Sequence, residues 1–488
     1  MIWRIAKKEF LLSLMTFKFV VGVVVCVILT GVFVPMLARD YQQRLRTYHA
    51  NVAREQSELR KVKVYRNVMP TVFRPPCLLS VFSGGLEKQV DDSAKIRLDS
   101  VPVMRAAAAQ GNPYQSIFSV FDASLIFRIV ISILALLVAY DAISGERERG
   151  TLKLALSGTA RRHEILLGKL LAGAMVLVVP VTLVFLIASI LLLSFPMVNL
   201  TGSDWVRIGS MYLASLIFTV AMYNMGLTLS CLARRSAVSL MLALFLWILF
   251  VVVVPNGSVS LASQMRPLKP QEQTDAQLKA LKQDRDREVR AALPSSAGHM
   301  SQSDAGDAFG SWYHRSLNKD AMDYYSKSYQ AQATFGVKYA DKSWEVERSS
   351  LNDLAEQKHL ASVLSRVSPA CLYESVMSRL AGTDAGSLES FTQAVQDYRI
   401  RLVDYVRART NDFSATSLFT PYTFEQMQTL KRGGEDPPLN LSELPGFQYQ
   451  AAVLRSFRSA IGDLGLLVFA NLLFFALSFV AFMRYDVR

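Results

Sequence analysis

The chain of 488 residues is 51% hydrophobic and 19% charged, with a formal charge of +13 at neutral pH and a mean hydropathy of +0.25. That hydropathy is high for a soluble protein, and the charge is too dense for a chain wholly in lipid, so membrane spans must alternate with large aqueous regions. The positive excess calls for no nucleic-acid partner, because part of it sits in short loops where membrane topology explains it.

At the amino end, Ile2, Trp3, Ile5, Phe10 and Leu11 interleave with Arg4, Lys7, Lys8 and Glu9. This pattern predicts an amphipathic helix in the inner membrane interface, or a plain extension of the first span. No small-residue cleavage pattern follows Pro35-Met36-Leu37, so the segment is read as retained rather than as a secretory leader. Six apolar runs predict six transmembrane helices, at 19–37, 124–142, 170–195, 207–231, 238–255 and 461–483. At about 1.5 Å per residue, each can cross roughly 30 Å of hydrocarbon.

Between the first two runs lies an insertion, 38–123. It opens with a polar helix over 39–61, with Tyr41, Leu45, Tyr48 and Val52 at helical spacing. The alternation in Val62-Lys63-Val64-Tyr65-Arg66 predicts a strand, and Pro75-Pro76 and Gly84-Gly85 predict turns. A second insertion, 257–460, carries helices over 271–293, most of 305–365, and 386–410. Its aromatic stripe Phe309, Trp312, Tyr324, Tyr325 and Tyr329 reads as packing, and Pro421, Pro437, Pro438 and Pro445 mark loops with short strands. The expected fold class is therefore an all-α polytopic membrane protein with six transmembrane helices, plus a mainly helical α+β extracytoplasmic stalk and head built from both insertions. Its units are 1–37, the first insertion 38–123, four spans in 124–256 with a cytoplasmic loop at 143–169, the second insertion 257–460, and 461–488.

Orientation follows from the short connections. Arg4, Lys7 and Lys8, then Arg147, Arg149, Lys153, Arg161, Arg162 and Lys169, then Arg234 and Arg235, and finally Arg484 and Arg488 are predicted to lie inside. The loop 196–205 has no Lys or Arg and belongs outside, so both termini are expected in the cytoplasm. Cys26 and Cys231 read as apolar packing residues. Cys77 and Cys371 fall in the two insertions, as one candidate disulfide between them or as two free thiols.

No catalytic or metal constellation emerges. The five histidines are scattered, His163-Glu164 lacks the second histidine of a zinc helix, and no phosphate-cradling loop or nucleophile elbow is present. The chain therefore reads as a non-enzyme with no cofactor of its own. Charges near the runs sit at their ends, with Lys18 and Asp141 inside and Arg128 and Asp463 outside, where long side chains can snorkel. Asn224, Asn471 and Tyr223 lie deeper and read as hydrogen-bond links between helices. Without a mid-membrane carboxylate relay, the energy for any transport must come from elsewhere. Pro180 is a candidate bend in the third run.

The loop after the second run carries Glu146-x-Glu148-x-Gly150-Thr151-Leu152, then Arg161-Arg162-x-Glu164-Ile165, then Gly168-Lys169 opening a long apolar run. It resembles the inner loop of type 2 ATP-binding-cassette permeases, and Ala6-Lys7-Lys8-Glu9-Phe10 before the first span is similar to the same family. The large insertions, with Arg74-Pro75-Pro76, Gly84-Gly85-Leu86-Glu87, Ser368-Pro369 and Leu380-Ala381-Gly382-Thr383, resemble a subgroup with a big extracytoplasmic domain. The resemblance implies a coupling helix that seats in a separate cytoplasmic ATPase through Glu146, Glu148, Arg149, Thr151, Leu152, Arg161, Arg162 and Glu164. Leu152, Leu154 and Ile165 would fill a pocket there. ATP and Mg would be bound on that partner. The implied setting is a bacterial inner membrane, with a second permease copy or a paralogous permease and an extracytoplasmic envelope protein as further partners. The expected role is the permease subunit of an exporter or mechanotransmission complex. The competing reading is a membrane-anchored sensor or scaffold, which would need a cytoplasmic signalling domain, whereas only 484–488 follows the sixth run.

Overall fold

The computed structural model of the chain describes residues 2–87, 92–102, 122–157, 161–293, 319–414, 418, 438–449 and 453–484. Helix α1 (Ile2–Leu14) stops at Met15, where Thr16 turns extended (φ −75°, ψ 135°) and α2 (Phe17–Leu59) begins. The apolar first run and the polar helix after it form this one uninterrupted helix of 43 residues, about 65 Å long. Pro35 sits inside it, which a membrane helix tolerates when neighbours satisfy the freed carbonyl.

The strand expected at 62–66 is not formed. Tyr65–Asn67 is a tight helical turn, and the strand lies later, β1 (Thr71–Phe73), paired antiparallel with β2 (Ser93–Lys95) in the register Thr71 to Lys95 and Phe73 to Ser93. A strand exists only where a neighbour accepts its ladder. Val62 instead packs half-buried with Leu59 and Tyr65, and its carbonyl accepts from Leu439 N at 2.8 Å.

Asp122 caps α3 (Ala123–Leu125), its carboxylate accepting from Leu125 N at 2.9 Å. The helix runs on through a π-helical stretch, Ile126–Ile131, into α4 (Ser132–Ala139). The loop helices α5 (Ser144–Glu148) and α6 (Thr151–Ser157) follow, then α7 (Arg162–Leu193) and α8 (Gly202–Leu232). Pro180 lies within the continuous α7. Helix α9 (Ser236–Ile248) passes through a second π-helical stretch into α10 (Val254–Met265). The remaining helices are α11 (Gln271–Ala291), α12 (Lys319–Ser365), α13 (Pro369–Ala381), α14 (Ala385–Arg409) and α15 (Val453–Met483). Phe309, Trp312, Pro421 and Pro437 fall outside the described residues, whereas Tyr329 is buried, as a packing residue should be.

Six helical stretches are long and apolar enough to cross a membrane: Phe17–Leu59, Ala123–Glu148, Arg162–Leu193, Gly202–Leu232, Ser236–Met265 and Phe457–Met483. They match the six runs in the sequence. Buried residues fill 78% of the apolar window of α8, against 17% in each of the last two stretches, so α8 is the axis of the bundle. Glycine permits its close contact with α7: a Cβ on Gly173 would overlap the Tyr223 ring, whose hydroxyl donates to Lys169 O at 2.9 Å. Asn224 Nδ2 donates to Asn471 Oδ1 at 3.1 Å, and Asn471 Nδ2 donates to Ile217 O at 2.9 Å, so the deep amides do join α8 to α15.

A second core unites both insertions. Val68, Val72 and Ile96 from the first pack with Val337, Phe391 and Leu402 from the second. A collar links this head to the bundle. Leu86 N donates to Thr383 O at 3.0 Å, Thr383 Oγ1 donates to Ser83 O at 2.9 Å, and Arg44 Nη1 lies 2.7 Å from Glu87 Oε1. Helix α13 sits in this collar, capped by Ser368, whose hydroxyl donates to Phe250 O at 2.6 Å.

Two expectations are corrected in the collar. Asp463 does not snorkel: it is 2% exposed, accepts from Ser375 Oγ at 2.7 Å, and lies 2.6 Å from Arg379 and 3.4 Å from Arg366. A short carboxylate cannot reach water from there, so cations from α13 and from the turn just after α12 come to it. The Cys77–Cys371 bridge is not made, and both are free cysteines. Cys77 Sγ instead donates to Ala381 O at 3.2 Å, and the Cys371 backbone N donates to the Ser368 hydroxyl at 3.3 Å.

Candidate functional site

Between α4 and α7 the chain makes one short charged excursion. Gly150, at φ +75°, turns it from α5 into α6, a conformation glycine adopts without a Cβ clash. The excursion is bolted to the bundle at several points. Ile143 N and Ser144 N both donate to Ser230 Oγ at 3.0 Å, and Arg147 Nη1 donates to Ala233 O, also at 3.0 Å. These contacts close the carboxyl end of α8. At the start of α2, Lys18 Nζ lies 2.8 Å from Asp141 Oδ2, so two charges expected merely to sit at span ends pair with each other.

Lys169 ties in a third direction. Its side chain is 4% exposed, with Nζ 2.7 Å from Glu146 Oε1 and 3.3 Å from Glu9 Oε1. Burying a lone ammonium costs several kcal/mol, and the two carboxylates offset that penalty. The cluster joins α1, α5 and α7, and Gly168 lets α1 approach, because a Cβ there would stand 2.7 Å from Ile5 Cγ2.

The eight residues singled out in the sequence divide into two sets. Glu148, Arg149, Thr151 and Arg161 are exposed and form the tip, together with Lys153 and Leu154, the latter 74% exposed. Glu148 Oε2 accepts from Ser236 N at 3.1 Å and also from the Ser236 hydroxyl, which orients it. Thr151 Oγ1 donates to Glu146 O at 3.2 Å. Glu146, Arg162 and Glu164 face the fold instead: Glu146 holds Lys169, Arg162 Nη1 donates to Met483 O at 2.9 Å, and Glu164 Oε2 accepts from Arg161 N at 2.9 Å to cap α7. Leu152 is fully buried and Ile165 is 4% exposed, so neither can enter a partner's pocket, and Leu154 alone of the three apolar residues stays outside. Leu152 belongs to the hydrophobic core of the bundle.

Sequence reasoning missed the anchors Ser144, Arg147, Ser230 and Ser236. Their hydrogen bonds join residues some 86 to 88 positions apart, which no local pattern reports. Lys169 was legible, since a cation opening an apolar helix demands a partner; which carboxylate would answer it was not.

A bundle of six helices able to cross a membrane, with a rigid charged loop between the second and third, defines a multi-pass membrane protein of the permease kind. The match to known families is specific: the model of the ABC-2 family transporter proteins covers residues 3–487, and the chain belongs to that family. It is similar to the probable ABC transporter permease protein NosY of Pseudomonas aeruginosa, 34% identical over 128 residues, which is 25% of this chain and 45% of that protein. The NosY of Stutzerimonas stutzeri is likewise 34% identical, over 125 residues and 45% of its length. The matched segment thus spans less than half the length of these relatives.

Proposed function

We propose that this chain is the membrane permease subunit of a complex driven by a separate cytoplasmic ATPase, which docks on the tip formed by Glu148, Arg149, Thr151, Leu154 and Arg161. One observation carries the reading. The tip is exposed, while its base is fastened to α1, α2, α7 and α8 through Lys169, Asp141 and Ser230. A push on such a handle moves helices rather than bending a loop. ATP and Mg belong to the partner, and this chain supplies the lever. The loop and both termini lie on the cytoplasmic side of a bacterial inner membrane, with the head on the other side. Two permease chains pair, using the poorly buried apolar faces of the outer helices. Work done on the bundle exports a cargo or reaches an envelope partner through the head.

The test is co-purification with the partner ATPase, comparing the parent with Glu148→Ala, Arg149→Ala and Arg161→Ala combined. Association should fall, and ATP turnover should lose its dependence on the permease. Full association together with unchanged turnover would remove the docking assignment. Cysteine-free chains carrying Leu154→Cys should label from the cytoplasmic side only.

A further inference from the structure

The head holds a cavity of about 430 Å³ that the lever reading does not use. Four arginines line it, Arg66, Arg97, Arg285 and Arg290, against two carboxylates, Asp99 and Asp286. Arg97 pairs with Asp99 at 3.2 Å and Arg285 with Asp286 at 2.9 Å, and Arg66 has a partner of its own, so the anchoring role falls to Arg290. Arg290 Nε donates to the neutral backbone carbonyl of Asp286 at 3.1 Å. Much of the remaining lining is apolar, with Val289, Leu293, Val337 and Phe413. This size and lining are those of small-molecule sites, where an apolar wall takes the body and a few polar groups fix the head.

The floor is held in an uncommon backbone. Asn411, Asp412 and Phe413 have φ of 48°, 58° and 62°, three consecutive non-glycine residues in the left-handed region. Asp412 N donates to Arg407 O at 3.0 Å and Phe413 N donates to Thr410 Oγ1 at 3.1 Å, contacts that lock the corner and bring the fully buried Phe413 ring to the cavity. Strained segments persist where the surroundings over-determine them, and they gather at ligand sites. Gly336 belongs to the same wall, where a Cβ would stand 3.1 Å from Asp99 Cβ, so α12 approaches the Arg97–Asp99 turn closely.

We propose that this cavity binds a carboxylate carried on an apolar body, the acid group at Arg290 and the body against Val289, Val337 and Phe413. Guanidinium groups favour carboxylates through charge-assisted, bidentate hydrogen bonds. Two sources share that chemistry: a free fatty acid and the carboxyl terminus of a short apolar peptide.

The experiment uses the full chain in lipid nanodiscs and a twelve-carbon carboxylic acid bearing a diazirine. After illumination and trypsin digestion, label is expected on the fragment Ser328–Lys338, which carries five cavity residues including Gly336 and Val337. Competition by excess octanoate supports the fatty-acid source, competition by acetyl-Leu-Phe with a free carboxylate supports the peptide source, and competition by both supports the shared chemistry. Arg290→Glu, on an exposed helix face, should lower the label roughly ten-fold. Ala333→Trp should block it by filling the wall, and where that variant fails to fold, Arg290→Glu alone decides. Label confined to the membrane-spanning helices, equal competition by neutral octanamide, or undiminished label in Arg290→Glu would each overturn the assignment.

Discussion

Glu146 and Glu148 stand two residues apart and do opposite things. Two steps along a helix turn the side chain through about 200°, so one carboxylate faces Lys169 and the other faces outward. The sequence made both legible as charges in a loop, but which one points inward depends on Lys169 and Glu9, far away along the chain. The two insertion cysteines teach the same lesson, because their topology allows a bridge and their surroundings do not make one. Burial pushes the Cys77 thiol up to about 12 and, with a smaller opposing effect of the Ser368 hydrogen bond, the Cys371 thiol up to about 11. Only the thiolate attacks a disulfide or an alkylating agent. In the folded chain at pH 8, iodoacetamide should therefore modify neither residue, while both should react in denaturant, as read by peptide mass spectrometry. The sign of the linkage follows. The folded pKa of Cys77 lies above the unfolded value of about 8.5, so its contribution to stability is complete below that pH and is lost as the pH rises toward about 12. The fall in thermal midpoint above about pH 9 should be shallower in Cys77→Ala. Rapid alkylation of Cys77 in the native chain would contradict its burial.

At the scale of elements, the six spans were readable because length and hydropathy suffice to call a membrane helix. The same reasoning had less hold in the head. Val62-Lys63-Val64 alternates like a strand, yet pairing occurs at Thr71–Phe73, where β2 supplies the partner. Helix α13 was not foreseen as an element at all, although Ser368-Pro369 is a ready helix start and Gly382, at φ +74°, a ready stop. Deep polar residues were read correctly as links between helices, and this yields a measurable consequence. Asn471 makes both the bond from Asn224 Nδ2 and the bond to Ile217 O. Asn471→Leu should weaken the α8–α15 contact by about 0.6–2 kcal/mol, the range for interhelical hydrogen bonds in lipid. Titration with sodium dodecyl sulfate should show an earlier unfolding midpoint for this variant. An unchanged midpoint would mean that packing alone holds the two helices together.

Across the whole molecule, α8 connects the two regions that matter. At its carboxyl end Ser230 and Ala233 receive the charged loop, and near its middle Ser215 Oγ lies 3.0 Å from Tyr373 Oη of α13. Tyr373 also stacks on Phe218 of α8, with ring centroids 4.5 Å apart at 13°. A rod gripped at its middle and at its carboxyl end moves as one body, since a close-packed core shifts between arrangements rather than deforming continuously. The two contacts at Tyr373 can be separated. Tyr373→Phe removes one buried hydrogen bond, at a cost of about 1 kcal/mol, and keeps the ring. Tyr373→Ala leaves a cavity between α8 and α13, at a cost of about 3–5 kcal/mol. If α8 is a rigid relay, hydrogen exchange in Tyr373→Ala should quicken at α13 and also at Ser144–Glu148, at the far end of the same helix, while Tyr373→Phe changes little at either place. Faster exchange confined to α13 would show that α8 yields between Phe218 and Ser230, and the loop and the head would then have to be joined through α15 and Asp463 instead.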